Sequence, residues 1–217
     1  MSLSSLLLAP VYDRLLRPSE QACLASWREA LVADLSGEVL DIGAGTGANL
    51  PYYSNTVTQL VAAEPDRHMR RRLRAKVGKL AERLACSVEV SDASADRLPM
   101  ADGTFDAVVS TLVLCTVPSP HQALAEYRRV IKPGGTLVFI EHVAAHDNPS
   151  RLRWQHRVEP LWKRVFGNCH LTRDTASTIE AAGFEFEHIE RQSMRKASPL
   201  VRPTIRGVAR VKRAAVD

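Results

Sequence analysis

The chain has 217 residues, 45% hydrophobic and 24% charged, with a formal net charge of +5. These values suit a globular α/β domain with a full core and exclude a disordered or low-complexity chain. Four cysteines, Cys23, Cys86, Cys115 and Cys169, show no C-x-x-C spacing. That argues against a disulfide framework and a zinc site, and for a reducing compartment. In chain order, Leu6 to Val11 form a short apolar stretch. It falls far below the ~20 apolar residues of a membrane span and lacks the basic flank and cleavage site of a signal peptide. Two readings fit it: a segment packed over the ligand site, or an interfacial foothold. A helix is expected from Ser19, as N-cap, to about residue 35. Buried-strand runs at 39–42, 59–64, 86–90 and 105–110, and a fifth strand that closes the segment 132–140 after a helix end and a Gly134-Gly135 turn, alternate with helices over 66–84 and 120–131, the latter stopped by Pro133 and Gly134. Residues 148–166 read as helical around a break at Pro160, a further helix starts at Thr172 and ends at Gly183, and strands follow at 184–189 and 204–211. This alternation means a parallel sheet with right-handed crossovers. The expected fold is α/β: one doubly wound, mostly parallel seven-stranded sheet, with an N-terminal helical cap over 1–36, a main domain over 37–217 and a lid at about 146–172.

The glycine turn is the sharpest motif. Val39 to Ile42 runs into Gly43-Ala44-Gly45-Thr46-Gly47-Ala48-Asn49, a G-x-G-x-G spacing. Glycines at alternate positions let backbone pass close to a ligand. The spacing is not the G-x-G-x-x-G of a dinucleotide turn, and Asp41 just before it suits a pyrophosphate poorly. A carboxylate there can accept from the turn or from a cationic ligand, which points to a sulfonium methyl donor. The second strand ends in Glu64-Pro65, near the ~20-residue offset at which an acid grips ribose hydroxyls. The third is followed by Asp92-Ala93, where the carboxylate can accept from an adenine amino group and the backbone can donate. Each acid alone also reads as a cap or turn residue. Acids at the ends of strands one, two and three, in order, resemble the class I S-adenosylmethionine-dependent methyltransferases. The resemblance implies S-adenosyl-L-methionine as cofactor, bound by Asp41, Gly43, Ala44, Gly45, Gly47 and Asn49 in the first turn. It further implies Glu64 and Pro65, Asp92 and Ala93, and Thr111 and Leu112 after the next three strands. Tyr12-Asp13 stands where a Tyr-Asp pair occurs in related quinone-pathway methyltransferases, which implies that Tyr12 closes over the methionine end.

The acceptor side carries a narrower likeness. Segments 111–117, 141–145, 159–163, 167–173 and 200–203, with the first glycine turn, resemble the small methyltransferase-like alkyl-thiol S-methyltransferases of the animal endoplasmic reticulum and lipid droplet. The likeness runs from about Val39 to Val208. It departs at the start, where those relatives carry a long hydrophobic anchor. It implies S-methylation of a small lipophilic thiol. A free thiol of pKa ~8.5 is only partly ionised at neutral pH, so such a site needs a base or a positive charge. His142 and His170 are the candidate bases and Arg173 the candidate cation; the bland readings are a strand cap for His142 and an ion pair with Asp174 for Arg173. Trp154 and Trp162 suit an apolar lid, and Cys115 reads as an apolar neighbour of the cofactor. No metal is expected.

Charge is uneven. Residues 67–83 carry Arg67, Arg70, Arg71, Arg72, Arg74, Lys76, Lys79 and Arg83, and a second basic run extends from Arg191 to Arg213. Neither run interleaves aromatics, which disfavours single-stranded nucleic acid; solvated faces and an anionic membrane surface remain. The expected partner is a small-molecule acceptor, with no nucleic acid and no obligate protein. The expected location is the cytoplasm, with peripheral membrane contact as the variant. Against thiol methylation stand a C- or O-methyltransferase of a quinone precursor and a non-catalytic cofactor-binding or RNA-associated protein.

Overall fold

The computed structural model describes residues 11–84 and 86–212. The expectation for Leu6 to Pro10, and the last basic residue of the tail, Arg213, lie outside them. Seven strands form one sheet: β1 (Gly37–Ile42), β2 (Val57–Ala63), β3 (Ser87–Ser91), β4 (Phe105–Thr111), β5 (Ile131–His142), β6 (Phe184–Ser193) and β7 (Pro203–Val211). Their spatial order is β3-β2-β1-β4-β5-β7-β6, parallel except for β7, which pairs antiparallel with both neighbours. The order reverses between β1 and β4, the crevice where open α/β sheets take ligands. Register places Ser110 opposite Phe139 and Thr111 opposite Ile140, so the turn leaving β4 meets the end of β5.

Successive residues of each central strand pack into opposite layers. Leu40, Ile42, Val108, Leu137 and Phe139 face one helical layer, formed by α4 (Pro120–Val130) and α6 (Thr175–Ala181). Val39, Ala107, Val109 and Val138 face the other, against α2 (Ala25–Val32) and α3 (Arg67–Leu80). Burial on both faces is why these strands read as continuous apolar runs. Edge strand β6 instead alternates the exposed Glu185 and Glu187 with Phe184 and Phe186, and exposed charges of that kind protect an unpaired edge.

Three expectations are corrected. Ser19 is not an N-cap: the chain is helical from Tyr12, in α1 (Tyr12–Ser19), and Ser19 is buried without a capping bond. Pro18 lacks an N–H, and the helix widens immediately into a π turn over Glu20–Leu24 before continuing as α2. Pro160 does not break α5 (Pro149–Val165): it lies on an exposed side of the helix, as does His156 one turn before it. Helix α6 begins after Asp174, whose carboxylate accepts from the Ser177 N–H, while the Thr172 hydroxyl donates to Glu159.

Candidate active site

The turn after β1 is held from behind. Asp41 is fully buried, and both its oxygens accept from Asn49 Nδ2 at 3.1 Å. Asn49 Oδ1 in turn accepts from Arg28 Nη1 at 2.7 Å, and the same nitrogen donates to Thr111 Oγ1 at 3.0 Å. Arg28 is 3% exposed and is neutralised by Glu20, its partner across the π turn. Of the two roles open to Asp41 from sequence, this geometry is that of a turn holder. Burial raises its carboxyl to about 6, against the lowering effect of Asn49. Gly43 and Gly47 have φ of +60° and +84°, and a Cβ at Gly43 would sit 2.5 Å from Val113 Cγ2. The left-handed backbone and the close approach both require glycine there.

Two cavities adjoin in front of this turn and share Tyr12, Gly43, Gly45 and Thr111. The smaller, about 360 Å³, reaches Arg28, Thr46 and Lys76. The larger, about 650 Å³, runs past Glu64, Pro65, Met69 and Ala95 to Leu112 and the lid. Glu64 Oε2 accepts from the Gly45 N–H at 2.9 Å and Oε1 from the Asp66 N–H at 2.8 Å. One carboxylate therefore ties the first turn to the second while lining the larger cavity, and burial raises its pKa. Asp13 accepts from Thr46 Oγ1 at 2.6 Å, which anchors α1 over the glycine turn and sets Tyr12 at the seam between cavities. Asp92 is exposed at the end of β3, beside the wall residues Ser94 and Ala95, and the Ala93 N–H is bonded to Ser91 Oγ. Together the cavities exceed the lower range for small-molecule sites. They place an acid, the glycine-turn backbone and apolar walls along two adjoining cavities, which fits a nucleoside joined to an amino acid.

The turn leaving β4 is clamped from two sides. Leu112 has φ of +60°. The next three N–H groups, of Val113, Leu114 and Cys115, all donate to the buried Glu141 carboxylate, at 2.9, 2.9 and 3.2 Å. Burial raises Glu141 to about 6, with these donors pulling the other way. From the opposite side Arg173 donates to the carbonyls of Leu114 and Val117. Its guanidinium is thus committed to backbone, which makes it a positioning residue. His170 Nδ1 lies 3.1 Å from Glu159, and its backbone N–H donates to the Cys115 carbonyl. Burial lowers the His170 pKa.

The fold brings His142 and two cysteines to one point. His142 Nε2 is 3.0 Å from Cys169 Sγ, the Trp162 indole N–H reaches the same sulfur at 3.3 Å, and Cys115 Sγ completes a group whose ligand atoms lie within 4.8 Å of one another. The thiol of Cys115, with His142 and Trp162, lowers the Cys169 pKa against the raising effect of its burial. The same contact and burial push Cys115 well up. Trp162 stacks on Phe166 in the lid, whereas Trp154 is 59% exposed and lines neither of the two cavities. Sequence reasoning missed Arg28, Glu141 as a turn holder, and the cysteine pair.

Some residues of the basic runs are engaged within the fold. Arg70 donates to the carbonyls of Glu64 and Pro65, and Arg206 and Arg210 pair with Glu190 and Glu187. Among the described residues no helix is long and apolar enough to cross a membrane.

A sheet of this order, with strand-end acids around a glycine turn at its switch point, is that of a class I methyltransferase, and the comparisons agree. Residues 40–139 match the family model described as "Methyltransferase domain". The structure superposes on a SAM-dependent methyltransferase from Aquifex aeolicus with a TM-score of 0.59, covering 96% of each chain at 21% identity, which speaks for the fold alone. In sequence the chain is 35% identical over 193 residues to Thiol S-methyltransferase TMT1B of Homo sapiens, covering 84% of this chain and 78% of that one. It is 32% identical over 162 residues to a demethylmenaquinone methyltransferase of Paenarthrobacter aurescens, covering 73% of this chain and 56% of that one. The protein is a class I S-adenosylmethionine-dependent methyltransferase. Within that class, the chain belongs to the family that includes the human protein TMT1B.

Proposed function

We propose that this enzyme methylates the sulfur of a small, lipophilic alkyl thiol. The observation that carries the reading is the reach of the similarity. The methyltransferase-domain match spans 40–139, the cofactor half, but the likeness to the thiol S-methyltransferase covers 84% of the chain and so takes in the lid and acceptor side. When bound, S-adenosylmethionine supplies a methyl group already activated by the sulfonium. The chain's residues then have three tasks. Gly43, Ala44, Gly45, Gly47 and Asn49, the last two shaping the turn from behind, present backbone to the cofactor; Asp41 acts through Asn49. Glu64 takes the ribose, Pro65, Asp92 and Ala93 border the adenine, and Thr111, Leu112 and Tyr12 border the methionine end. The turn over 112–118, fixed by Glu141 and Arg173, sets the acceptor in line, which can supply most of the rate enhancement. His142, its Nε2 against the Cys169 sulfur, stands at the acceptor end of the site where the acceptor's proton has to be lost, and His170 supports the lid through Glu159.

Purified chain with labelled S-adenosylmethionine tests this reading on a panel of alkyl thiols beside quinols and phenols. Label in the thiol products alone is the expected result. Label only in quinol or phenol products would transfer the protein to the second reading, which the demethylmenaquinone relative favours.

A further inference from the structure

We propose that Cys115, His142 and Cys169 are the three protein ligands of a soft divalent cation, zinc above all, and that the fourth position receives the acceptor thiol as a thiolate. The inference rests on the thiol reading above and assigns how that thiol is activated.

The donor set comes first. Two cysteine sulfurs and one imidazole nitrogen lie within 4.8 Å of one another, and among the described residues no fourth Cys, His, Asp or Glu joins them. Two thiolates and an imidazole suit zinc, and three protein ligands with one position left open mark a catalytic rather than a structural site. With metal–ligand bonds of roughly 2.0–2.3 Å, tetrahedral ligands stand about 3.3–3.8 Å apart, so the 3.0 Å contact between His142 and Cys169 opens by only a few tenths of an ångström. The absence of C-x-x-C spacing in the chain is no obstacle. The three ligands come from the turn after β4, the end of β5 and the lid, and the sheet register brings them together.

The surroundings point the same way. His142 is 3% exposed, and its Nδ1 has no hydrogen-bond partner among the described residues. The ring's polar contact among the described residues is therefore that of Nε2 with Cys169 Sγ, with Cys115 Sγ within 4.8 Å. Trp162 donates an N–H to Cys169 Sγ, the kind of outer bond that steadies a ligating thiolate. The cluster is next to the space an acceptor must enter. The larger cavity is lined by Val113 and Thr116, two residues before and one after Cys115, and by Gly167 and Asn168, the two residues before Cys169.

A coordinated thiol is deprotonated outright. The acceptor's S–H bond breaks as its sulfur joins the cation, and the proton leaves to solvent. The same sulfur then forms the new S–CH3 bond as the cofactor's sulfonium–methyl bond breaks, giving a thioether and S-adenosylhomocysteine. The neutral thioether is a weak ligand and departs, so the open position is regenerated with no change of oxidation state.

The test uses the full chain in a non-thiol reductant, loaded with zinc or cobalt(II), desalted and analysed for metal. Wild type should retain stoichiometric metal, and the cobalt form should show sulfur-to-cobalt charge-transfer absorption that grows when propane-1-thiol is added. Cys115→Ser, Cys169→Ser and His142→Ala should each lose stoichiometric binding while still binding S-adenosylmethionine in a calorimetric titration, which shows that they fold. Metal retention no greater in wild type than in the cysteine variants, or a cobalt spectrum that propane-1-thiol leaves unchanged, overturns the proposal. Full-rate thiol methylation by chelator-treated, metal-free protein overturns it too, while leaving the thiol reading intact. A thiol-responsive metal site in a protein that turns over no thiol upholds the site and removes the thiol reading instead.

Discussion

Replacing Glu141 by Ala is expected to lower stability at neutral pH by about 3 kcal/mol or more, counting ~1 kcal/mol for each of three backbone donors left unpaired. Val113, Leu114 and Cys115 donate to that one carboxylate, and no water-accessible route replaces it, since Glu141 is fully buried. The loss is larger than for a surface acid because the donors remain buried when the acceptor goes. The same substitution should alter the pH dependence. Burial raises both Glu141 and Asp41 to about 6 in the folded protein, above the ordinary carboxylate range. The folded state therefore binds more protons than the unfolded chain between roughly pH 4 and 6. Stability contributed by the protonated forms is present below that window and is lost as pH rises through it. Glu141→Ala should flatten that slope without abolishing it, since Asp41 remains. Denaturant unfolding at several pH values measures both effects; an unchanged midpoint at neutral pH would show that the turn does not depend on this carboxylate.

Replacing Glu64 by Ala is expected to weaken S-adenosylmethionine binding by ~1–3 kcal/mol, about 5- to 150-fold, the range for removing hydrogen bonds to a charged partner. Two effects act together. The carboxylate lines the larger cavity, and it also holds the N–H groups of Gly45 and Asp66, so its loss loosens the first turn as well as the ribose wall. Glu64→Gln separates them. An amide oxygen still accepts from one of the two N–H groups, so Gln should retain much of the turn while losing the charge. Calorimetric titration of both variants checks the assignment, and wild-type affinity in Glu64→Ala would place the cofactor elsewhere.

Much of the cofactor half was legible because its signals are local. Asp41 and Glu64 follow apolar runs directly, and strand-helix alternation fixes which strand ends face one crevice. The parallel order around β1 and β4 follows from the same local pattern. What escaped depends on contacts between distant segments. Arg28 meets Thr111 across 83 residues, and Glu141 meets Leu114 across 27. Cys115, His142 and Cys169 converge only because β4 and β5 pair in one register and the lid folds back over both. In the sequence Cys115 reads as an apolar neighbour and His142 as a base, with nothing to join either to Cys169. Helix ends misled for a related reason. Ser19 looks like a helix start and Pro160 like a break, but the chain is already helical from Tyr12 and α5 runs through Pro160. Arg173 looked like a free cation beside the acceptor, and only the fold shows its donors directed to two backbone carbonyls.

The central claim is that the methyl group goes to sulfur, and one acceptor bearing both a thiol and a phenol tests it within a single molecule. The purified chain would be given S-adenosylmethionine carrying a carbon-13 methyl group and 4-(2-mercaptoethyl)phenol, and the product's labelled carbon located by nuclear magnetic resonance. Label on sulfur alone, with the phenol free, is the predicted result. Label on oxygen or on the ring, with the thiol untouched, would contradict the account.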